Sequence, residues 1–470
     1  MRVVVVGAGV AGLSAALEVR SLRPDAEVVL LETSGRVGGK VTRSEVGGVV
    51  VDEGADAMLT RVPDGVALAR AAGLETELVA PAAGQAAIWS RGRLVDLPTG
   101  TLLGVPTDLD ALARSGLLSN RGLLRVPLDL VQPGGPVVDD ISVGDLVARR
   151  FGREVVDRLV DPLLGGVYAG RAEVLSLRAT LPQLVAPAAR HRSLLLAARE
   201  ARAAGAAAAG PGPAGPIFAG LPGGMGRLPE QALVAGGAEL RLRTTARALT
   251  RTPTGWRLTT GSAAEPAAID ADAVVLAVPA AAAVRLLGDL APPFELDYAS
   301  VAIITLVLDG PTPGRGSGFL VPAVEGRTTK AVTFSSRKWA HLSRGPAVVR
   351  ASVGRYGETA DLQREDAELV AVVASELVDA VGPLPALLGS RVTRWGGGLP
   401  QYAVGHLDRV AALRAALARH PGLAVAGAAY DGVGVPACAR SGRDAARAAL
   451  AGTTRNGAVA QNGGHDPDQT

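Results

Sequence analysis

Three glycines and one acid near the start of the chain could do defined chemistry. Gly7, Gly9 and Gly12 are spaced Gly-x-Gly-x-x-Gly, and Glu32 follows 20 residues after the last of them. That pattern suits a pyrophosphate and a ribose. Gly7 permits a tight turn, and Gly9 has no side chain between the backbone and a phosphate. Gly12 lets a helix lie close. Gly9, Val10, Ala11 and Gly12 would open that helix, whose free N–H groups and partial positive charge face the anion. Glu32 can accept from both ribose hydroxyls. Its charge would repel a 2′-phosphate.

The flanking sequence supplies the elements such a site needs. Val3 to Val6 read as a buried strand, Leu13 to Val19 as a helical run, and Val28 to Leu31 as a second strand ending at Glu32. The order strand, glycine turn, helix, strand, acid is a dinucleotide-binding unit rather than a lone glycine turn.

The next residues narrow the nucleotide. Arg36, Gly38, Gly39 and Lys40 follow Glu32, and a strand at Val49 to Val51 leads into Gly54, Ala55, Asp56 and Ala57. An acid, an arginine four residues on and a glycine pair resemble flavoproteins of the amine-oxidase type. The resemblance implies FAD: the first segment would cross it, and the second would reach toward its ring. NAD is the distant second reading.

The chain of 470 residues is long enough for two or three domains, with 48% hydrophobic and 20% charged residues. A net charge of +3 and no basic block with interleaved aromatics give no sign of nucleic-acid binding. Only Lys40, Lys330 and Lys338 are lysines, a bias that fits a GC-rich bacterium. Cys438 stands alone, which excludes an intramolecular disulfide and a cysteine metal cluster, and fits a reducing cytoplasm. The five histidines show no ligand spacing, so no metal is expected. The apolar N-terminus is read as neither a signal peptide nor a membrane span, since cleavage would remove the fingerprint. A peripheral membrane contact stays open.

Along the chain, helices are expected at 66–74, from Ser142 with Pro162 as a limit, at 191–204, 229–235, 362–381 and 437–450. Strands are expected within 86–97, 239–243, 256–260, 273–278, 298–308, 347–353 and 423–426. Gly165-Gly166-Val167-Tyr168-Ala169-Gly170 reads as a ligand approach or a tight turn, with spacing favouring the turn. Pro187 and the uncharged run 203–226, broken by Gly210-Pro211-Gly212-Pro213 and Pro216, read as linkers, and 453–470 as a disordered tail.

The expected fold class is α/β. A discontinuous Rossmann-like FAD-binding domain of the amine-oxidase type takes 1–79, 217–290 and 400–452. A largely helical insertion, facing substrate or membrane, takes 80–216. A substrate-binding sheet and helix take 291–399.

Several further blocks, in order, resemble the FAD-dependent protoporphyrinogen/coproporphyrinogen oxidases. They are Gly166 to Gly170 with Leu175 to Ala179, His191 to Leu195, Gly223-Gly224-Met225, Leu399-Pro400-Gln401-Tyr402 with Gly405-His406, and Ala426 to Val435. The resemblance spans 1–450. It implies a porphyrinogen substrate, non-covalent FAD, molecular oxygen as acceptor and hydrogen peroxide as product, with a haem-pathway partner left open. It places Ala246 on the adenine side, and Ala277, Gly427, Val433, Gly434 and Val435 at the cofactor. Gly166, Tyr168 and Leu320 would face substrate. Arg61 is a candidate propionate holder, with a solvated surface arginine as an equal reading; Arg178 and Arg192 are further available cations. No catalytic base can be named. Coproporphyrinogen III is favoured over protoporphyrinogen IX. An amine oxidase would use an aromatic cage, and aromatics are only 3% of the chain.

Overall fold

The computed structural model of the chain describes residues 1–132, 134–208 and 215–461. Strand β1 (Arg2–Val6) is the middle of a five-stranded parallel sheet. A strand covered on both faces has no polar side, which is why Val3 to Val6 are continuous and buried. On one side it pairs with β2 (Glu27–Leu31), Val3 opposite Val28. On the other it pairs with Ala273–Leu276, Val3 opposite Ala273. Strand Glu239–Arg241 extends the sheet beyond β2, and Leu423–Val425 extends it beyond Ala273–Leu276. Three distant stretches of chain therefore build one sheet. Helix α1 (Val10–Leu22) crosses from β1 to β2 and packs on the C-terminal helix Val435–Gln461. The contact is close enough that a Cβ at Gly442 would lie 2.0 Å from Ala11 O.

A second, seven-stranded sheet runs in the order Ala386–Pro400, Tyr298–Asp309, Ala347–Val353, Thr329–Phe334, Gly318–Leu320, Ala86–Ser90, Arg93–Asp96. Leu369, Val373 and Leu377 of helix Asp366–Val381 cover its core face. The strands at 86–96, expected within the helical insertion, belong to this sheet: Ile88 pairs in parallel with Leu320. A strand pattern shows that a segment pairs but not with which edge, so the boundary at residue 80 is corrected. A three-stranded antiparallel sheet, Ala248–Arg251, Trp256–Gly261 and Pro266–Ala271, packs beside the nucleotide sheet.

The helical layer forms its own core around Leu146, Val147, Phe151, Val155, Leu159 and Val160. Ser142 caps its helix Val143–Phe151, its hydroxyl accepting from Asp145 N at 3.0 Å. Gly152, at φ 94°, ends that helix, not Pro162. The helical run resumes at Arg153 and passes through a π-helical turn, Val156–Val160, into Asp161–Tyr168, so Pro162 lies just after a widened turn rather than at a helix end. Gly165 and Gly166 lie inside this helix rather than in the expected turn, which falls at Ala169 (φ 49°). Packing, not glycine propensity, decides there. Pro187 lies within helix Pro182–Arg190 and is no linker. The following helix, Leu194–Ala208, covers the start of the expected Gly/Pro linker, whose Gly210 to Pro213 lie outside the described residues. The C-terminal helix continues past Leu450 to Gln461, through the start of the expected tail; 462–470 lie outside the described residues. Among the described residues, no helix is long and apolar enough to cross a membrane.

Candidate active site

The glycine turn forms an open cradle. Gly7 adopts φ 104°, and a Cβ there would lie 2.4 Å from Ala277 O. A Cβ on Gly12 would lie 1.8 Å from Gly7 O, so this glycine lets the helix close on the turn itself. Gly9 is different: a Cβ there meets nothing within 4 Å, so space lies in front of it. The first intrahelical bond is Leu13 N to Gly9 O at 3.0 Å, and no side chain caps the N–H groups of Val10, Ala11 and Gly12. Donors without acceptors around an open space fit a pyrophosphate.

Glu32 sits beside this cradle. Its carboxylate accepts from Ala8 N at 2.9 Å and Ser34 N at 2.8 Å, one bond to each oxygen, leaving lone pairs for a ribose. Thr244 N donates to Glu32 O at 2.9 Å, which brings the segment ending in Ala246 alongside. Gly38 N donates to Ala8 O at 2.8 Å. Arg36 donates to Gly39 O at 2.9 Å and lies over the Trp395 ring at 5.7 Å. Gly427, beside Ala11, closes the cradle from the C-terminal side, and its N–H donates to Ser441 Oγ at 2.9 Å. Gly434 and Val435 open the C-terminal helix, and Cys438 is half-buried within it.

The segment after Lys40 is pinned from both ends. A Cβ at Gly54 would lie 1.9 Å from Lys40 O, and Ala55 N donates to the same carbonyl at 3.2 Å. Asp56 is already neutralised within the protein. Lys338 Nζ lies at 2.8 Å and Arg350 Nη1 at 3.6 Å from its carboxylate. Burial opposes its charge, yet Lys338 and Arg350 hold its carboxyl below the usual range. Arg350 also donates to Gly54 O at 2.6 Å. Neighbouring Asp52 has fewer compensating contacts, and burial pushes it up to about 6. A cleft lined by Asp52, Asp56, Arg350, Trp339 and His341 opens here; Gly166, Tyr168 and Leu320 do not line it.

Those three meet elsewhere. Leu320 Cδ2 lies 3.5 Å from the Cβ position of Gly166, and Tyr168, Leu320 and Val433 share one apolar cluster. The seam between the helical layer and the sheet thus reaches Val433, just before the C-terminal helix. Tyr168 is buried, which pushes its hydroxyl up to about 12. Its ring meets Tyr402 edge-on at 5.6 Å.

Arg61 lies exposed, between strand Met58–Leu59 and helix Pro63–Ala71, without a polar partner among the described residues. Arg178 donates to Val138 O at 2.9 Å on the surface. Neither is in the seam. The sequence reading missed Lys330 and Arg355, both buried at 7% exposure in the seam's sheet. The available signal was a lysine inside the β-type run Thr329 to Phe334. It missed the Asp56–Lys338–Arg350 cluster because its members are far apart in sequence.

The model of the family described as flavin containing amine oxidoreductase matches residues 10–450. The chain is similar to the coproporphyrinogen III oxidase of Mycobacterium tuberculosis, 38% identical over 92% of this chain and 94% of that one. Its likeness to the coproporphyrinogen III oxidase of Bacillus subtilis is 32% over 95% and 97%. A crystal structure from Exiguobacterium sp. 255-15, described provisionally as a protoporphyrinogen oxidase, superposes with TM-score 0.83 at 33% identity, covering 95% of this chain and 98% of that one. Cyclohexylamine oxidase from Brevibacterium oxydans shares the fold at TM-score 0.67 and 16% identity, over 97% and 99%. An open glycine cradle, an acid beside it and a match along almost the whole chain lead to one assignment: the chain belongs to the flavin-containing amine oxidoreductase family and is a flavin-dependent oxidoreductase.

Proposed function

We propose that the chain binds FAD non-covalently and oxidises coproporphyrinogen III to coproporphyrin III, with oxygen as acceptor. Three O2 would yield three H2O2 as six hydrogens leave the porphyrinogen. The observation that carries the reading is the seam in which Gly166, Tyr168 and Leu320 meet Val433. Such an apolar seam suits the hydrocarbon face of a puckered porphyrinogen ring presented to a cofactor edge, with its propionates directed away from the apolar wall. The names of the curated relatives supply the substrate class.

Bound FAD would supply hydride acceptance and reaction with oxygen. The chain's own residues bind and orient. The N–H groups of Val10 to Gly12 and the α1 dipole would hold the pyrophosphate, and Glu32 the ribose. The helix opening at Val435 would present its N-terminus to the ring's polar edge. Tyr168 and Leu320 would exclude water from the substrate face. Cys438 is half-buried inside a helix, and desolvation pushes its thiol up to about 11, which does not suit a covalent tether. No side chain is assigned as proton acceptor. A cytoplasmic place fits the lone cysteine.

The test is kcat/KM for coproporphyrinogen III and protoporphyrinogen IX at equal flavin content, with peroxide counted per porphyrin. The expected result is preference for coproporphyrinogen III without NAD(P)H. A clear preference for protoporphyrinogen IX rejects the substrate, and a requirement for NAD(P)H rejects the acceptor. Arg61→Ala, tested on both substrates, shows whether that exposed arginine takes part.

A further inference from the structure

Lys330 is the one buried lysine of the three in the chain. It lies on strand Thr329–Phe334, at a slip in register: Thr329 pairs with Val353 and Ala331 with Ser352, leaving Lys330 bulged. A bulge turns a side chain out of the regular alternation. The strand packs against helix Asp161–Tyr168, which carries Gly166 and Tyr168. Ala331 pairs with Leu320, and Val321 N donates to Lys330 O at 2.8 Å. Lys330 therefore stands at the seam described above.

Its ammonium has no hydrogen bond or ion pair with any described residue. The charged group acting on it is another buried cation, Arg355. Arg355 is itself held in place, by Val321 O at 3.0 Å, Arg327 O at 3.3 Å and Glu358 at 3.7 Å. Asp161, Glu376 and Arg171 act on Arg355 from the surrounding elements. Burial, then Arg355, pulls Lys330 down to about 7. Lys330 and Arg355 are both tied to Val321, and two cations so placed, one without any acid, repel each other. A bound anion relieves that arrangement.

We propose that Lys330, backed by Arg355, receives a carboxylate of the tetrapyrrole's propionate side chains. The proposal rests on the function proposed above and names one residue that recognises that substrate class. It differs from a structural role in a checkable way. A structural lysine would lower stability when removed, whereas an unpaired buried one would not.

The experiment uses the FAD-loaded enzyme and its Lys330→Met and Lys330→Arg variants. Binding of coproporphyrin III and of its tetramethyl ester is titrated by porphyrin fluorescence, alongside Tm and the KM for coproporphyrinogen III. For Lys330→Met, coproporphyrin III affinity should fall and KM rise by about 10- to 100-fold, the loss of one charge-assisted hydrogen bond. Affinity for the ester should hold, Tm should stay level or rise, and Lys330→Arg should retain most of the affinity. Unchanged coproporphyrin III affinity, or equal losses for acid and ester, overturns the role of Lys330. If the parent enzyme itself neither binds coproporphyrin III nor oxidises coproporphyrinogen III, the functional reading fails instead.

Discussion

Gly9 and Gly12 belong to the same motif, yet the structure predicts opposite consequences for their replacement. Gly9 has φ −76° and ψ 179°, an extended conformation open to any residue, and a Cβ there has no neighbour within 4 Å. Gly9→Val should cost the FAD-free protein only ~1 kcal/mol, the scale of changing an N-cap. What the new side chain would fill is the space in front of the uncapped helix. The variant should therefore purify colourless. It should also lose the stabilisation that FAD gives, ~2.7 kcal/mol when FAD is at 100 times its Kd. Gly12→Ala meets a backbone instead. Its Cβ would start 1.8 Å from Gly7 O, and ordinary contact begins at 3.4 Å. Helix and turn must part, at a cost of ~3 kcal/mol or more in the FAD-free protein itself. The assay is flavin content by absorbance after denaturation, paired with denaturant unfolding of both FAD-free variants. The reasoning is refuted if Gly9→Val keeps parental flavin, or if its FAD-free form is destabilised as much as Gly12→Ala.

Two further outcomes follow from buried charges. Lys338→Met leaves Asp56 with one cation, Arg350, and the hydrogen bond from Trp339 Nε1, and should cost ~3 kcal/mol by denaturant unfolding. Adding Asp56→Leu should recover part of that cost, because the remaining opposite charges are then Arg350 and Asp52; a simply additive double variant would count against the cluster. Burial lowers His406 from 6.5 to about 4, so the folded state favours its neutral form. Its contribution is full above pH 6.5 and is lost as pH falls toward 4, ~3 kcal/mol in all. His406→Leu should flatten the decline of Tm between pH 6.5 and 4, since neither ring nitrogen has a hydrogen bond to lose; an unaltered acid limb would show that other groups control it.

The nucleotide half was legible because its signals are local. The valines of β1, the glycine turn and Glu32 lie within one unit, and each has a single physical use. That Ala273–Leu276 is a covered parallel strand was legible, since a continuous apolar run before a proline suits one, whereas its register with β1 was not. The seam was harder. Gly165 and Gly166 resemble a turn by composition, and only packing against Leu320 shows that they belong to a helix. Arg61 carried the right charge but lies exposed, whereas Lys330, which has the more telling surroundings, was hidden in a strand pattern. A sequence displays charge; it does not display the absence of a counter-charge.

The run Leu399-Pro400-Gln401-Tyr402 with Gly405-His406 makes contacts that are structural. Gln401 Nε2 donates to Tyr168 O at 2.9 Å, and its backbone N donates to Asp297 O at 2.8 Å. Tyr402 O accepts from Ser176 N at 2.7 Å, while its hydroxyl donates to Ala428 O in the cofactor segment. Asp140 joins the same knot, accepting from Ser176 Oγ at 2.8 Å and from Gly405 N at 3.0 Å. His406 stacks on Tyr402 at 4.4 Å. The run therefore binds three parts together: the helical layer, the end of the substrate sheet and the loop before the C-terminal helix. Such a joint fixes the width of the seam that holds Tyr168 and Leu320 against Val433. Under the function proposed above, a porphyrinogen in that seam would need the width held, because a small change in spacing misplaces a reacting carbon relative to the cofactor. Amine oxidases share the scaffold at TM-score 0.67 with only 16% identity. The contribution of the run is geometric: it ties Tyr168, Ser176 and Ala428 to one another, and so holds the helical layer, the sheet end and the loop before the C-terminal helix at a fixed spacing.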